Sequence, residues 1–277
     1  MPSLPPEPGS STRPHLVRYA LLEGLPGLVH ALSTRVGGCS QTPFAGLNLG
    51  LHVGDDPQRV LANRARVLAA LGFDPGQLVL AAQVHGSRVA RVDLAEAGRG
   101  SLDGATALPD ADALVTATPG LLLGVLVADC APILLADPVS RAVAAVHAGW
   151  RGTAEDVAGR TVRAMAAAFG TRPGDLRAVI GPSIGPAHFE VGPEVVAAFD
   201  AALGPDASGL VRPGRGDRAF VDLPEANRLL LRRAGLDPGR IQVDRTSTAE
   251  RLDRFFSHRA EGGRTGRFGA FVGWSPS

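Results

Sequence analysis

The chain has 277 residues, enough for one large domain or two small ones. Its 28 Lys and Arg offset 27 Asp and Glu, and a net charge of +1 gives no global attraction to nucleic acid or to a membrane surface. With 45% hydrophobic and 20% charged residues the composition is globular, and no apolar run approaches the roughly 18 residues of a membrane-spanning helix.

The start is rich in Pro and Ser and has no apolar segment of the signal-peptide kind. Residues 1–13 are expected to form a flexible N-terminal tail, and 14–277 the folded domain. With only Cys39 and Cys130, a disulfide framework is not expected, and the cytoplasm is the expected compartment.

In chain order, the apolar patterns at 17–22 and Leu28–Ser33 predict two short strands, with Gly24 to Gly27 turning between them. Next comes Ser33-Thr34-Arg35-Val36-Gly37-Gly38-Cys39-Ser40. Two glycines permit sharp backbone beside an arginine, which suits an anion or carbonyl site; on these residues alone a plain glycine turn with a solvated Arg35 is the commoner arrangement. Helical spacing of Val60, Leu61, Ala65, Leu68 and Leu71 predicts a helix over Pro57–Leu71, capped by Asp55 or Asp56 and ended by Gly72. A strand at 78–83 leads into Gln83-Val84-His85-Gly86. Residues 93–110 read as an exposed loop. At 110–116 the chain re-enters a sheet, with Asp110 and Asp112 as metal ligands or as hydrogen-bond acceptors at the strand start.

The stretches Leu122–Val127, 133–136 and 142–146 are apolar runs of buried-strand length, and Asp137-Pro138-Val139-Ser140-Arg141 is the turn between the last two. They bring Asp129, Cys130 and His147 to the ends of strands. A thiolate and an imidazole on rigid elements can bind a metal or work as nucleophile and base. Alone, Cys130 would read as a small buried hydrophobe. Its neighbours argue otherwise: Asp129 before it, Pro132 after it, and His147-Ala148-Gly149-Trp150-Arg151-Gly152, whose glycines bracket a Trp-Arg pair. Asp129 suits proton acceptance, ligand orientation or a simple strand-end hydrogen bond.

A helix is predicted over 153–169 and a strand over 176–180. Gly181-Pro182-Ser183-Ile184-Gly185 matches G-x-S-x-G, but a nucleophile elbow runs directly into a helix. Pro186 follows here instead, so the match is read as chance. Pro193–Leu203 and 223–234 are predicted helices, 204–218 a basic, solvated and mobile loop, and 255–273 a closing loop. Loose alternation of strands and helices, a hairpin, and the lack of G-x-G-x-x-G or P-loop motifs favour α+β with mixed sheets.

The segments ADCAPILLAD and VAAVHAGWRGT resemble the signature of the YfiH family, the multicopper-polyphenol-oxidase-like proteins. Further likenesses join them: Ser33 to Ser40 to S-T-R-x-G-G-x-S, followed by Asn48-Leu49; Gln83 to Gly86 to Q-x-H-G; 110–116 to D-A-x-x-T; 180–192 to I-G-P-x-I-G-P…F-E-V-G; and 255–273 to the closing F-x-S-Y-R-R-D-G-x-T-G-R. The likeness spans residues 28–273. Ala260, Glu261 and Arg245 depart from the family's Arg, Asp and Cys.

The resemblance implies a layered α/β/β/α sandwich in one domain and one zinc per chain held by His85, Cys130 and His147. It implies purine nucleosides and phosphate as partners, with phosphorolysis of adenosine, inosine, guanosine and methylthioadenosine and hydrolytic deamination of adenosine. Arg35 and Asn48 shift towards substrate contact, Arg35 is the local candidate to hold phosphate, and Arg259 lies in the segment with the departures. Two other chemistries stay open. One is a copper phenol oxidase, against which stand the lack of H-x-H pairs and of any methionine but Met1 and Met165. The other is a metal-free hydrolase with Cys130 as nucleophile and His147 as base, which gives His85 no role.

Overall fold

In a computed structural model, which describes residues 13–276, the long apolar runs are strands buried on both faces. Alternation sorts the side chains of each between two cores. In Val143–Ala148, Val143 and Ala145 enter one apolar cluster while Ala144 and Val146 enter another. In Leu122–Val127, Leu123, Val125 and Val127 face one way and Leu122 and Leu126 the other. With both faces apolar, no polar alternation is left to see in the sequence. The expected tail, residues 1–13, lies outside the described residues except for Arg13.

Two large mixed sheets result. One has the order Leu16–Val17, Leu28–Ser33, Phe268–Trp274, Leu122–Val127, Leu78–Leu80. The other runs Ile241–Val243, Arg177–Ile180, Ala131–Ala136, Val143–Ala148, Ala113–Thr116, Val89–Arg91. They face each other across Leu32, Val125, Val127, Leu134, Val143 and Phe268. The helix Pro57–Leu71 covers the outer side of the first sheet through Val67, Leu68 and Leu71. Helices Val157–Phe169, Pro193–Leu203 and Leu223–Arg233 bury Val162, Met165, Phe199 and Leu230 on the outer side of the second. This is the expected α/β/β/α sandwich, with a small third sheet of Glu190–Val191, Ala219–Val221 and Val211–Pro213. No helix among the described residues is long and apolar enough to cross a membrane.

Several elements differ from the sequence expectation. Of the strand predicted over 17–22, only Val17 is extended, within the short strand Leu16–Val17; Ala20–Glu23 is a helical turn that buries Leu22, fixed by Tyr19 N–H donating to His30 Nε2 at 2.9 Å. The predicted helix over 153–169 is two helices, Trp150–Ala154 and Val157–Phe169. Asp156 divides them in a left-handed conformation and caps the second by accepting from Gly159 N–H. The loop at 204–218 contains a 3-10 turn and the strand Val211–Pro213, anchored by buried Ala207 and Leu210. The loop at 93–110 is pinned from below: Arg64 of the covering helix donates to the carbonyls of Gly100 and Ser101 at 2.7 and 2.6 Å. The closing segment ends in Phe268–Trp274, a central strand buried at every residue, whose two glycines mask its strand character in the sequence.

Leu134, fully buried between the sheets, provides a test of this packing. Leu134→Ala is expected to cost about 2–5 kcal/mol in urea unfolding, whereas Leu102→Ala, at a side chain 59% exposed, should stay within about 0.5 kcal/mol.

Candidate metal centre

Leu122–Val127 belongs to one large sheet and Ala131–Ala136 to the other, so Ala128, Asp129 and Cys130 carry the chain across the gap. Asp129 makes the crossing at φ 86°, a costly conformation for a residue with a side chain. Its own contacts hold it there. One carboxylate oxygen accepts Thr248 Oγ1–H at 2.6 Å, the other accepts Arg259 N–H at 2.7 Å, and its carbonyl accepts Ile184 N–H at 2.8 Å. Beyond the crossing, Ala131 pairs with Ala148 and Pro132 with His147. Alternation therefore places Cys130 and His147 on the same face of this hairpin, the face turned towards the other sheet. His85 arrives from the loop after Leu78–Leu80, also in left-handed backbone, at φ 62°.

Cys130 Sγ and one ring nitrogen from each of His85 and His147 lie within 4.8 Å of one another. The two rings meet edge to face, with centroids 4.8 Å apart. Burial is graded: His147 is buried, Cys130 half-buried and His85 exposed, so the group opens to solvent on the His85 side. A side-chain carbon at residue 149 would stand 3.1 Å from both Cys130 Sγ and His85 Cδ2, so Gly149 leaves the space in which the three converge.

Behind the group lies Asp112, a residue whose part the sequence did not reveal. Its Oδ1 is 2.7 Å from His147 Nδ1. The same carboxylate accepts the backbone N–H of His85 at 3.0 Å, of Val84 at 3.2 Å and of Gly86 at 2.8 Å. One buried side chain thus orients both histidines. With Nδ1–H given to the carboxylate, Nε2 of His147 is left as the donor to a metal. Asp112 is accordingly a support for the group and lies outside the set of three donors.

Electrostatics favour the ligand form of the cysteine. Burial opposes a charge on Cys130, but His147 and His85 outweigh it and bring the thiol below its ordinary range. Burial likewise opposes a charge on His147, while Cys130 and Asp112 overcome it and hold that imidazole above its usual range. Burial also works against ionised Asp112, yet the hydrogen bond from His147 and the amides of Gly86 and Val84 keep its carboxyl below the carboxylate range.

The other residues singled out from the sequence have different surroundings. Arg35 is 5% exposed and donates to the carbonyls of Ala45, Leu252 and Phe255 and to Glu261 Oε1 at 3.1 Å, with its guanidinium 4.5 Å over the Phe256 ring. It clamps the closing segment, which leaves little of its fork for the phosphate expected there. Glu261, one methylene longer than the family's Asp, also accepts Ser257 N–H and Thr265 Oγ1–H. Asn48 is wholly buried; its Nδ2 donates to Asp55 at 2.8 Å, and its Oδ1 accepts Gly50 N–H at 3.0 Å and Arg267 N–H at 2.8 Å. These contacts shape the loop at 48–55. Arg259 is exposed and binds the Glu190 carbonyl at 2.9 Å, while its amide holds Asp129. Arg245 pairs with Asp222 and Glu225. Ser183 Oγ is buried without a hydrogen-bond partner among the described residues, in keeping with a chance motif match. Two residues without a distinguishing mark of their own in the sequence, His52 and Arg267, lie close enough to the group for its charges to act on them; the one local signal is that Arg267 ends the Thr265-Gly266-Arg267 segment.

Two outcomes follow. Asp112→Ala should weaken metal binding by about 10–100-fold in a chelator competition, with Asp112→Asn intermediate. Arg35→Ala should lower the unfolding midpoint and depress every activity alike, because five hydrogen bonds and a stacking contact are lost together.

Residues 29–275 match the family described as multi-copper polyphenol oxidoreductase laccase. A protein of Geobacillus stearothermophilus named purine nucleoside phosphorylase YlmD is 41% identical over 89% of this chain and 90% of its own length. One of Deinococcus radiodurans named purine nucleoside phosphorylase is 43% identical over 88% of each. Among solved structures, the hypothetical protein YfiH of Bacillus licheniformis superposes with a TM-score of 0.91 at 34% identity, over 96% of this chain and 97% of that one. YlmD from Geobacillus stearothermophilus gives 0.88 at 40% identity, over 91% and 93%. The chain belongs to the multi-copper polyphenol oxidoreductase laccase family, whose relatives include YlmD and YfiH.

Proposed function

We propose that this protein is a zinc-dependent purine nucleoside phosphorylase that also deaminates adenosine. The observation that carries the reading is the convergence of His85, Cys130 and His147 within 4.8 Å, with Asp112 behind His147. One thiolate and two imidazoles with an open side match a three-donor catalytic zinc site. The names of the relatives, purine nucleoside phosphorylase at 41% and 43% identity, supply the reaction class. The free thiols of Cys39 and Cys130 suit a reducing compartment, the cytoplasm.

His85, Cys130 and His147 would hold the ion, and Asp112 would fix the histidines. When bound, zinc supplies a Lewis acid and a water ionisable near neutral pH. Asp129, already accepting Thr248 and Arg259, keeps the closing segment seated against Cys130. In phosphorolysis a phosphate oxygen bonds to ribose C1′ as the bond from C1′ to N9 breaks. The electron pair goes to N9, which takes up a proton, giving ribose 1-phosphate and the free base. In deamination water adds at C6 of adenosine and ammonia leaves, giving inosine. Adenosine, inosine, guanosine and methylthioadenosine are the proposed nucleosides.

One observation favours a second reading. Cys130, His147 and Asp112 stand in the order of a nucleophile, base and orienting acid, as in a metal-free cysteine hydrolase. It leaves His85 idle. The copper oxidase reading gains nothing: among the described residues the three-donor group is the one cluster of its kind, and Met165 is packed in the helical core.

Metal analysis of the protein expressed with ample zinc should find about one zinc per chain. Adenosine should give inosine without phosphate, and adenine with ribose 1-phosphate when phosphate is added. His85→Ala, Cys130→Ala and His147→Ala should lose metal and activity together, and a chelator should abolish activity until zinc is restored. A metal-free, active His85→Ala protein would establish the cysteine hydrolase instead.

A further inference from the structure

Three arginines are buried or half-buried near the loops around the site, and one differs in how its charge is used. Arg35 is paired with Glu261 and carbonyls. Arg64 gives its donors to the carbonyls of Leu49, Gly100 and Ser101. Arg267 uses only Nη1, towards the carbonyls of Thr265 and Gly266 in its own segment. Among the described residues, its Nε and Nη2 have no hydrogen-bond acceptor and no carboxylate forms an ion pair with it. A half-buried guanidinium with most of its fork open is costly unless an anion meets it.

Its position is fixed by the fold. Phe268 pairs with Val127 in antiparallel register, so the next step puts Arg267 beside Ala128, just before Asp129 and Cys130. Asn48 Oδ1 accepts Arg267 N–H at 2.8 Å, and Leu49 N–H donates to the Arg267 carbonyl at 2.9 Å. The same Asn48 oxygen accepts Gly50 N–H, which sets the turn carrying His52. A side-chain carbon at residue 50 would lie 2.9 Å from Arg267 Cγ and 3.4 Å from His52 Cε1, so both side chains gather over Gly50. His52 is an exposed residue whose ring is partly covered by these side chains and has no hydrogen bond among the described residues. Burial of the ring, then Arg267, Arg64, His147 and His85, hold its pKa below the usual range, which places it among these groups. Cys130 and Asp129 act in turn on the Arg267 charge.

We propose that Arg267 and His52 form the oxyanion subsite that holds inorganic phosphate beside the His85–Cys130–His147 group, the part that the sequence had given to Arg35. The proposal rests on the phosphorolysis reading above. The open edge of the guanidinium offers parallel N–H donors to two phosphate oxygens, and the His52 imidazole offers an N–H to a third. Asn48 serves the subsite as a positioning residue, since one of its oxygens fixes both backbones.

The test is calorimetric titration of the zinc-loaded protein with inorganic phosphate, beside inosine phosphorolysis at varied phosphate. The wild type should bind phosphate saturably. Arg267→Ala should weaken binding by about tenfold or more, Arg267→Lys by less, and His52→Ala by severalfold. The KM for phosphate should rise in parallel, with a much smaller change in the KM for inosine. If Arg267→Ala does not fold, Arg267→Lys and the exposed His52→Ala carry the same comparison. Unchanged phosphate affinity in the folded variants overturns the subsite. Saturable phosphate binding that Arg267→Ala weakens, without formation of ribose 1-phosphate, upholds the subsite and removes the phosphorolysis reading. No phosphate binding by the wild type overturns the subsite outright.

Discussion

The Asp112 carboxylate accepts the amides of Val84, His85 and Gly86 and the Nδ1–H of His147. A buried carboxylate without partners would cost several kcal/mol; with four donors it becomes a rigid anchor. His147 comes from the hairpin of one large sheet, and His85 from the loop that follows an edge strand of the other. Asp112 thus joins the two halves of the donor set, and the spacing between the histidines depends on it.

The remaining donor is positioned by the crossing between the sheets. A chain that leaves one sheet and enters the other within Ala128, Asp129 and Cys130 has no room for a relaxed loop, and Asp129 adopts left-handed backbone to do it. His85 is left-handed too. Strained backbone therefore stands on both sides of the group, held by hydrogen bonds from Thr248, Arg259 and Ile184 on one side and by Asp112 on the other. Such strain persists only where surrounding contacts over-determine it, and it gathers where side chains must be aimed.

The closing segment ties the arrangement together. Arg35 grips it through backbone carbonyls and Glu261, and Arg259 N–H caps Asp129. Its last part, Phe268–Trp274, runs between Leu28–Ser33 and Leu122–Val127 in the centre of a sheet. The segment nearest the chain end is thus core structure, and the polar residues just before it inherit fixed positions from that strand. The exchange of Asp for Glu at 261 fits this role, because the longer side chain reaches Arg35, Ser257 N and Thr265 at once.

From sequence alone, the two-sided apolar runs determined the strands Leu28–Ser33 and Leu122–Val127, the helices Pro57–Leu71 and Pro193–Leu203, and the mixed α+β class, because burial on both faces and helical spacing leave local marks. His85, Cys130 and His147 were legible as candidates through their motifs, and alternation about the hairpin explains why Cys130 and His147 share a face. The tertiary structure alone decided what the polar residues do. Arg35 and Asn48 look like substrate contacts in a list of residues, yet their partners are carbonyls, Glu261 and Asp55 brought from elsewhere in the chain. Asp112 reads as an ordinary strand-start acid until His147, 35 residues on, is laid against it. A hydrophobic pattern is periodic and local, whereas a hydrogen bond between distant residues has no period; its partner exists only once the sheets have packed.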